Sequence, residues 1–156
     1  YVVSDIGRII KIKITENNFS FMSKLAQGTN IIKLFPGENI INAISSTKEN
    51  NKDLILITNK GFFVKHSLEE IKTSHKGELG TMGIQLKDNK NIKERVINCF
   101  INNNYIYIKT NKERYIKLIN DQIMASSYNN AKKLNIELDN NELIQSTFSM
   151  IIPEKV

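Results

Sequence analysis

The chain has 156 residues, with 22 Lys and Arg against 16 Asp and Glu, a formal net charge of +6, one Cys and no Trp. A lone Cys99 can neither close an internal disulfide nor supply a Cys-ligated metal site, and no apolar run approaches the ~20 residues that span a bilayer. A secreted disulfide scaffold, a zinc finger and a helical membrane protein are thereby excluded, while a hydrophobic content of 40% suits a packed globular chain. Lys outnumbers Arg nineteen to three, and Ile and Asn are over-used, the bias of an AT-rich genome. The chain opens inside an apparent strand at Tyr1-Val2-Val3-Ser4, which reads as a piece of something longer.

Taken in chain order, the elements repeat. Ser4-Asp5-Ile6-Gly7 reads as a hairpin turn, followed by Arg8-Ile9-Ile10-Lys11 and the period-two run Ile10-Lys11-Ile12-Lys13-Ile14, which sends Lys11 and Lys13 to one face of a strand. The loop over residues 15–27 carries Phe19, Phe21 and Met22 in a polar setting, as a blade contact or interface would. Leu54-Ile55-Leu56-Ile57 then runs into Thr58-Asn59-Lys60-Gly61 and Phe62-Phe63-Val64-Lys65. Ser67-Leu68-Glu69-Glu70-Ile71 has the spacing of one capped helical turn. In the third copy, Tyr105-Ile106-Tyr107-Ile108 leads to Thr110-Asn111-Lys112-Glu113 and Arg114-Tyr115-Ile116-Lys117. Gly7 and Gly61 would supply a positive φ at the turn, so Glu113 at the aligned site predicts a strained or different turn.

The aligned Lys11, Lys65 and Lys117 lie 54 and 52 residues apart, and Ile32-Lys33-Leu34, Ile84-Gln85-Leu86 and Ile136-Glu137-Leu138 keep a spacing of 52. Polar stretches at residues 45–52 and 102–104 read as linkers between repeats 1–52, 53–104 and 105–156. Several short strands in about fifty residues is the size of one propeller blade, and such a unit must stack on a neighbour to bury its faces. The expectation is an all-β array of three blades.

The ordered set resembles the C-terminal repeats of the gyrase A polypeptide of DNA gyrase, and of its counterpart in topoisomerase IV. It runs from Ser4-Asp5-Ile6-Gly7-Arg8 through Gly28-Thr29-Asn30-Ile31-Ile32-Lys33-Leu34 to Pro36-Gly37-Glu38, then through Thr58-Asn59-Lys60-Gly61-Phe62-Phe63-Val64-Lys65. The resemblance implies a β-pinwheel, a propeller-like disc whose blades exchange strands, here three blades of a larger five- or six-bladed disc. It implies duplex DNA as partner, bent and wrapped around a basic rim in support of ATP-dependent supercoiling. The rest of the gyrase A polypeptide and the ATP-hydrolysing gyrase B polypeptide are implied as protein partners, in the cytoplasm or a plastid. ATP and Mg would be bound elsewhere in the parent enzyme, so the domain alone is non-catalytic and needs no cofactor. The glycine-rich basic box of gyrase is absent; His75-Lys76-Gly77-Glu78-Leu79-Gly80 occupies a comparable loop. Gyrase is favoured over topoisomerase IV, and a protein-interaction module with merely solvated basic strands is the alternative of another class.

Charge is spread evenly: +3, +2 and +1 over the three repeats, from 7 against 4, 8 against 6 and 7 against 6 basic and acidic side chains. Such a distribution suits a curved phosphate backbone. Lys11, Lys65 and Lys117 are the leading DNA-contact candidates because the repeat makes them equivalent. Lys13 shares the parity of Lys11, Arg8 and Arg114 flank the turns, and Lys33, Lys132 and Lys133 lie on or near the second landmark. Contact through Lys to phosphate carries no base information. His66 and His75 read as surface or turn residues, Cys99 as a core thiol, and Tyr105, Tyr107 and Tyr115 as sheet-face packing.

Overall fold

The computed structural model describes residues 1–47, 52–88, 92–101, 105–119 and 128–150. The expected linker at 102–104 lies outside them, as do residues 48–51 of the expected linker at 45–52. Among these residues eleven strands run in chain order: β1 (Val2–Ser4), β2 (Arg8–Ile10), β3 (Ile40–Ala43), β4 (Asp53–Thr58), β5 (Phe62–Ser67), β6 (Thr81–Met82), β7 (Val96–Ile101), β8 (Tyr105–Thr110), β9 (Tyr115–Ile119), β10 (Lys132–Lys133) and β11 (Ile144–Met150). They form three antiparallel sheets, ordered β3-β1-β2-β6, β10-β5-β4-β7 and β11-β8-β9. Among the described residues there is no helix, and so none long and apolar enough to cross a membrane.

Each repeat builds a hairpin and adds one later strand to its far side. The turns follow from residue type. The Ser4, Thr58 and Thr110 carbonyls accept from the amides of Gly7, Gly61 and Glu113 at 2.9, 3.0 and 3.1 Å. Their side-chain oxygens accept from the amides of Arg8, Phe62 and Arg114 at 3.2, 3.2 and 3.3 Å. This is a type I turn closed by a left-handed residue, a favoured three-residue hairpin loop. Gly7 and Gly61 hold φ of 84° and 79°, and Glu113 takes 58° at the same place. A side chain in that region costs about 1–2 kcal/mol. Glu113→Gly should therefore raise stability by roughly 0.5–1 kcal/mol, net of the exposed Lys109–Glu113 pair it removes, readable as a higher urea midpoint.

The sheets do not coincide with the sequence repeats. β6, from the second repeat, completes the first sheet (Arg8↔Met82, Ile9↔Thr81), and β10, from the third, completes the second (Lys132↔Phe63, Lys133↔Phe62). The same backbone bond accompanies each exchange: Gly83 N to Gly7 O and Leu134 N to Gly61 O, both 2.8 Å.

Stacking explains the unbroken apolar run in β4. Leu54 and Leu56 point into a core with Val3, Ile9, Val64 and Val96, between the first and second sheets. Ile55 and Ile57 point the other way, into a core with Phe63, Phe100, Ile106, Ile108 and Ile144, between the second and third. A strand buried on both faces needs no alternation. Cys99 sits in the first of these cores, where burial pushes its thiol up to about 12.

Two local expectations are corrected. β2 stops at Ile10, because β1 supplies pairing only as far as Val2 opposite Ile10; Lys11 keeps a single bridge, to Thr73, and residues 12–14 are not strand. Residues 67–71 make a tight turn, not a helical one, with the Glu70 amide on Ser67 O at 3.2 Å and Leu68 buried.

Candidate nucleic-acid interface

The basic residues separate into three groups according to what already holds them. Arg8 is buried, with a side chain 4% exposed. Its Nε donates to Glu38 Oε1 at 2.9 Å and one Nη to the Lys33 carbonyl at 2.7 Å. Further bonds reach Glu38 Oε2 and the Leu79 carbonyl, and the guanidinium lies 4.4 Å over the Phe35 ring. Every edge is engaged inside the first blade. The expectation that Arg8 reaches phosphate from the turn is thus corrected: it clamps the loop before β3 and the exchanged segment before β6 onto the hairpin. Arg114 makes the matching bond to Glu142 at 2.7 Å but stays 43% exposed.

Arg8 belongs to a device that sequence reading missed. Glu38, Glu94 and Glu142 are all buried, and each accepts a backbone amide from its own loop: Phe35 at 2.7 Å, Lys87 at 2.7 Å and Asp139 at 2.9 Å. Thr58 and Thr110 hydroxyls donate to Glu94 and Glu142 at 2.7 and 2.6 Å, and Ser4 hydrogen-bonds Glu38. One residue on, Asp5, Asn59 and Asn111 accept on their side chains from the amides of Asn39, Arg95 and Leu143 at 3.0, 3.0 and 2.9 Å. The signal was the Ser/Thr-Asx dipeptide opening each turn, paired with a Glu in the following loop.

The second group is the repeated trio. Lys11 donates to the Leu68 carbonyl at 3.1 Å, and Lys65 pairs with Asp53 at 3.2 Å. Lys117 lies 3.9 Å over the Tyr105 ring and 5.9 Å from Tyr107. Tyr107 in turn stacks on Phe148 at 5.2 Å. Lys65 and Lys117 are paired residues of β5 and β9, whereas Lys11 lies just past β2; all three lie against the sheets, and of them only Lys117 is exposed.

The third group faces solvent: Lys13, Lys33 and Lys133 are exposed, and Lys132 is half-buried. Strand exchange adds residues that the sequence alone did not select. Thr73 bridges to Lys11 and Glu78 to Ile32, with Lys33 N on Glu78 O at 3.0 Å and Gly77 N on Ile31 O at 2.8 Å. The segment carrying Lys72 and Lys76 is thereby laid along the first repeat beside Lys13 and Lys33. Cations from two repeats gather at one place, a longer path than either repeat offers alone.

A cleft of about 930 Å³ is lined by residues such as Val2, Ile10, Ile12, Ile14, Phe19 and Thr73, and no described carboxylate or imidazole faces into it. His66 Nε2 is 2.5 Å from the Gly83 carbonyl, beside the exchanged segment.

A family model described as the DNA gyrase C-terminal domain, beta-propeller, matches residues 1–47 and 52–103. The chain belongs to that family. A solved structure, titled as the crystal structure of the C-terminal domain of DNA topoisomerase IV, superposes with a TM-score of 0.82 at 17% identity. It covers 96% of this chain, which spans 46% of that one. At such identity the likeness shows the fold, and the β-pinwheel that the resemblance implied is the observed architecture. A comparison with curated protein sequences found no match. In this gyrase-family domain the exchanged strands β6 and β10 are the features that join one blade to the next.

Proposed function

We propose that this gyrase-family domain binds duplex DNA through its phosphates, without base readout, and bends it across successive blades. Its path is formed by Lys13, Lys33, Lys72 and Lys76 on the first exchange and by Lys132 and Lys133 on the second, with Lys117 and the open side of Arg114 beyond. Lys11 and Lys65 join only by giving up the Leu68 carbonyl and Asp53. The reading rests on one observation: lysines that are exposed (Lys13, Lys33, Lys72, Lys133) or half-exposed (Lys76, Lys132) lie where strands cross between repeats, in a chain of the gyrase C-terminal family. The parent would be a type II topoisomerase of gyrase type, with ATP and Mg bound outside this domain and a separate ATP-hydrolysing polypeptide as partner. Topoisomerase IV is the second reading, favoured by the structural likeness.

The test is binding across a salt series, on a short duplex and on one several times longer. Neutralising four phosphates gives a slope near −3.6, or roughly a 10²-fold loss of affinity between 50 and 200 mM salt. Replacing Lys13, Lys33, Lys72 and Lys76 by Gln should flatten that slope by up to about 3.6 and weaken binding alike on all sequences. Tighter binding to the longer duplex would support a bent path. Weak binding that ignores both salt and length would point to a protein-docking module instead.

A further inference from the structure

The loop between β2 and β3 leaves large apolar side chains in water. Phe21 is 99% exposed and Leu25 94%, with Ile14, Met22 and Phe19 at 71%, 49% and 40%. Single exposed hydrophobics are ordinary, but five within twelve residues of one loop form a patch with a purpose. The loop is nonetheless shaped. Asn18 and Phe19 amides donate to the Thr15 carbonyl at 3.0 and 2.8 Å, and Asn18 Nδ2 donates to the Lys13 carbonyl at 2.8 Å. Lys76 caps the Phe19 ring at 5.8 Å. A turn closed by Ala26 N on Ser23 O at 3.0 Å puts Lys24 and Leu25 at its centre. Every residue from 20 to 30 is exposed.

The charge around this tip is cationic. From residue 13 to residue 37 the chain carries Lys13, Lys24 and Lys33 against Glu16 alone, and the second repeat brings Lys72 and Lys76 with Glu78, which leaves the surroundings net positive. Bare Phe, Met and Leu ringed by lysines is the chemistry by which DNA-bending proteins enter a duplex: the cations hold phosphates while apolar side chains part a base step and kink the helix by about 20–90°. We propose that Phe21 and Leu25 form such a wedge, inserted between base pairs of the duplex held by the neighbouring lysines. This rests on the duplex-binding reading above and adds a step to it, since phosphate contact alone leaves the base stack intact. A wedge next to the first strand exchange would set where the bend begins.

The absence of Trp from the chain supplies a clean probe. In the Phe21→Trp variant the one indole should be open to acrylamide in the free protein. On saturation with a 40-base-pair duplex its emission should fall by more than half and acrylamide access should drop several-fold. The Phe21→Ala/Leu25→Ala variant should fold normally by circular dichroism and hold duplex affinity within about threefold. It should nevertheless lose most of the end-to-end approach of the duplex seen by energy transfer with the unaltered chain. The proposal is overturned if the indole of Phe21→Trp stays exposed in a bound complex, as it would if the loop docks on protein, or if the double variant bends DNA as fully as the unaltered chain. Duplex binding is read separately in the same titrations, so a chain that binds without inserting sinks the wedge alone, and one that does not bind sinks both.

Discussion

Glu38→Ala should cost about 3–5 kcal/mol of folding stability, measured by urea denaturation, because it strands a buried guanidinium. The Arg8 and Glu38 side chains are only 4% and 1% exposed. Removing the carboxylate leaves Arg8 with carbonyls as its remaining partners and also frees the Phe35 amide. The matching change Glu142→Ala should do less, since Arg114 already meets water. The pair also has a pH signature. Burial pushes the Glu38 carboxyl up, but hydrogen bonds from Arg8, the Phe35 amide and Ser4, with the Arg8 charge, together hold it below the ordinary carboxylate range. Its contribution is therefore complete above the unfolded pKa of about 4.3 and disappears as pH falls through the lower, folded value. Unfolding monitored from pH 7 to pH 2 should show a steeper acid loss in the unaltered chain than in a Glu38→Gln variant, which has no carboxylate to protonate. Equal slopes would show that the pair is not linked to folding.

Gly80→Ala is the second large effect, and it tests strand exchange directly. Gly80 precedes β6 with φ of 72°, and a Cβ there would stand 2.6 Å from Ile9 O and 3.1 Å from Ile9 C, backbone atoms that cannot swing aside. The left-handed conformation and the forced shift together come to roughly 2–4 kcal/mol. Gly77 gives the control: its φ of 80° is similar, but nothing lies within 4 Å of an added Cβ, so Gly77→Ala should cost only the conformational part, about 1–2 kcal/mol. Hydrogen exchange should locate the difference, with Gly80→Ala speeding the amides of β2 and β6 while those of β8 and β9 keep their protection. Equal losses from the two substitutions would mean that β6 does not hold the first sheet together.

The hairpins were open to sequence reading because their causes are local. A Ser or Thr, an Asx and a Gly within four residues specify the first two turns, where Gly7 and Gly61 take the expected positive φ; of the two outcomes expected at Glu113, a different turn or a strained one, the strained one is found, with φ of 58°. The exchanged strands were not readable, since β6 and β10 are two residues long and carry no period of their own. What selects them is a partner in another repeat. Arg8 was misjudged for the same reason: an arginine beside a turn looks like surface until Glu38, thirty residues away, folds over it. The strand expected through Ile14 had the right alternation but lacked a neighbour to pair with. At the candidate interface, Lys13, Lys33, Lys132 and Lys133 were picked from charge and register, whereas Lys72 and Lys76 became visible only once Thr73 and Glu78 were seen beside the first repeat.

Strand exchange also imposes an order in time. β1 and β2 are made well before the strand that completes their sheet, which cannot close until Thr81 and Met82 have left the ribosome, 71 and 72 residues after Ile10. At about 5–20 residues per second that is a wait of roughly 4–14 s. Through this interval the β2 edge is unpaired and the Arg8 site lacks its Leu79 carbonyl. The second sheet repeats the delay while Lys132 and Lys133 are awaited. The first and second blades of the nascent chain are thus each finished by the following repeat, and until it arrives each carries one open edge toward the newer end of the polypeptide.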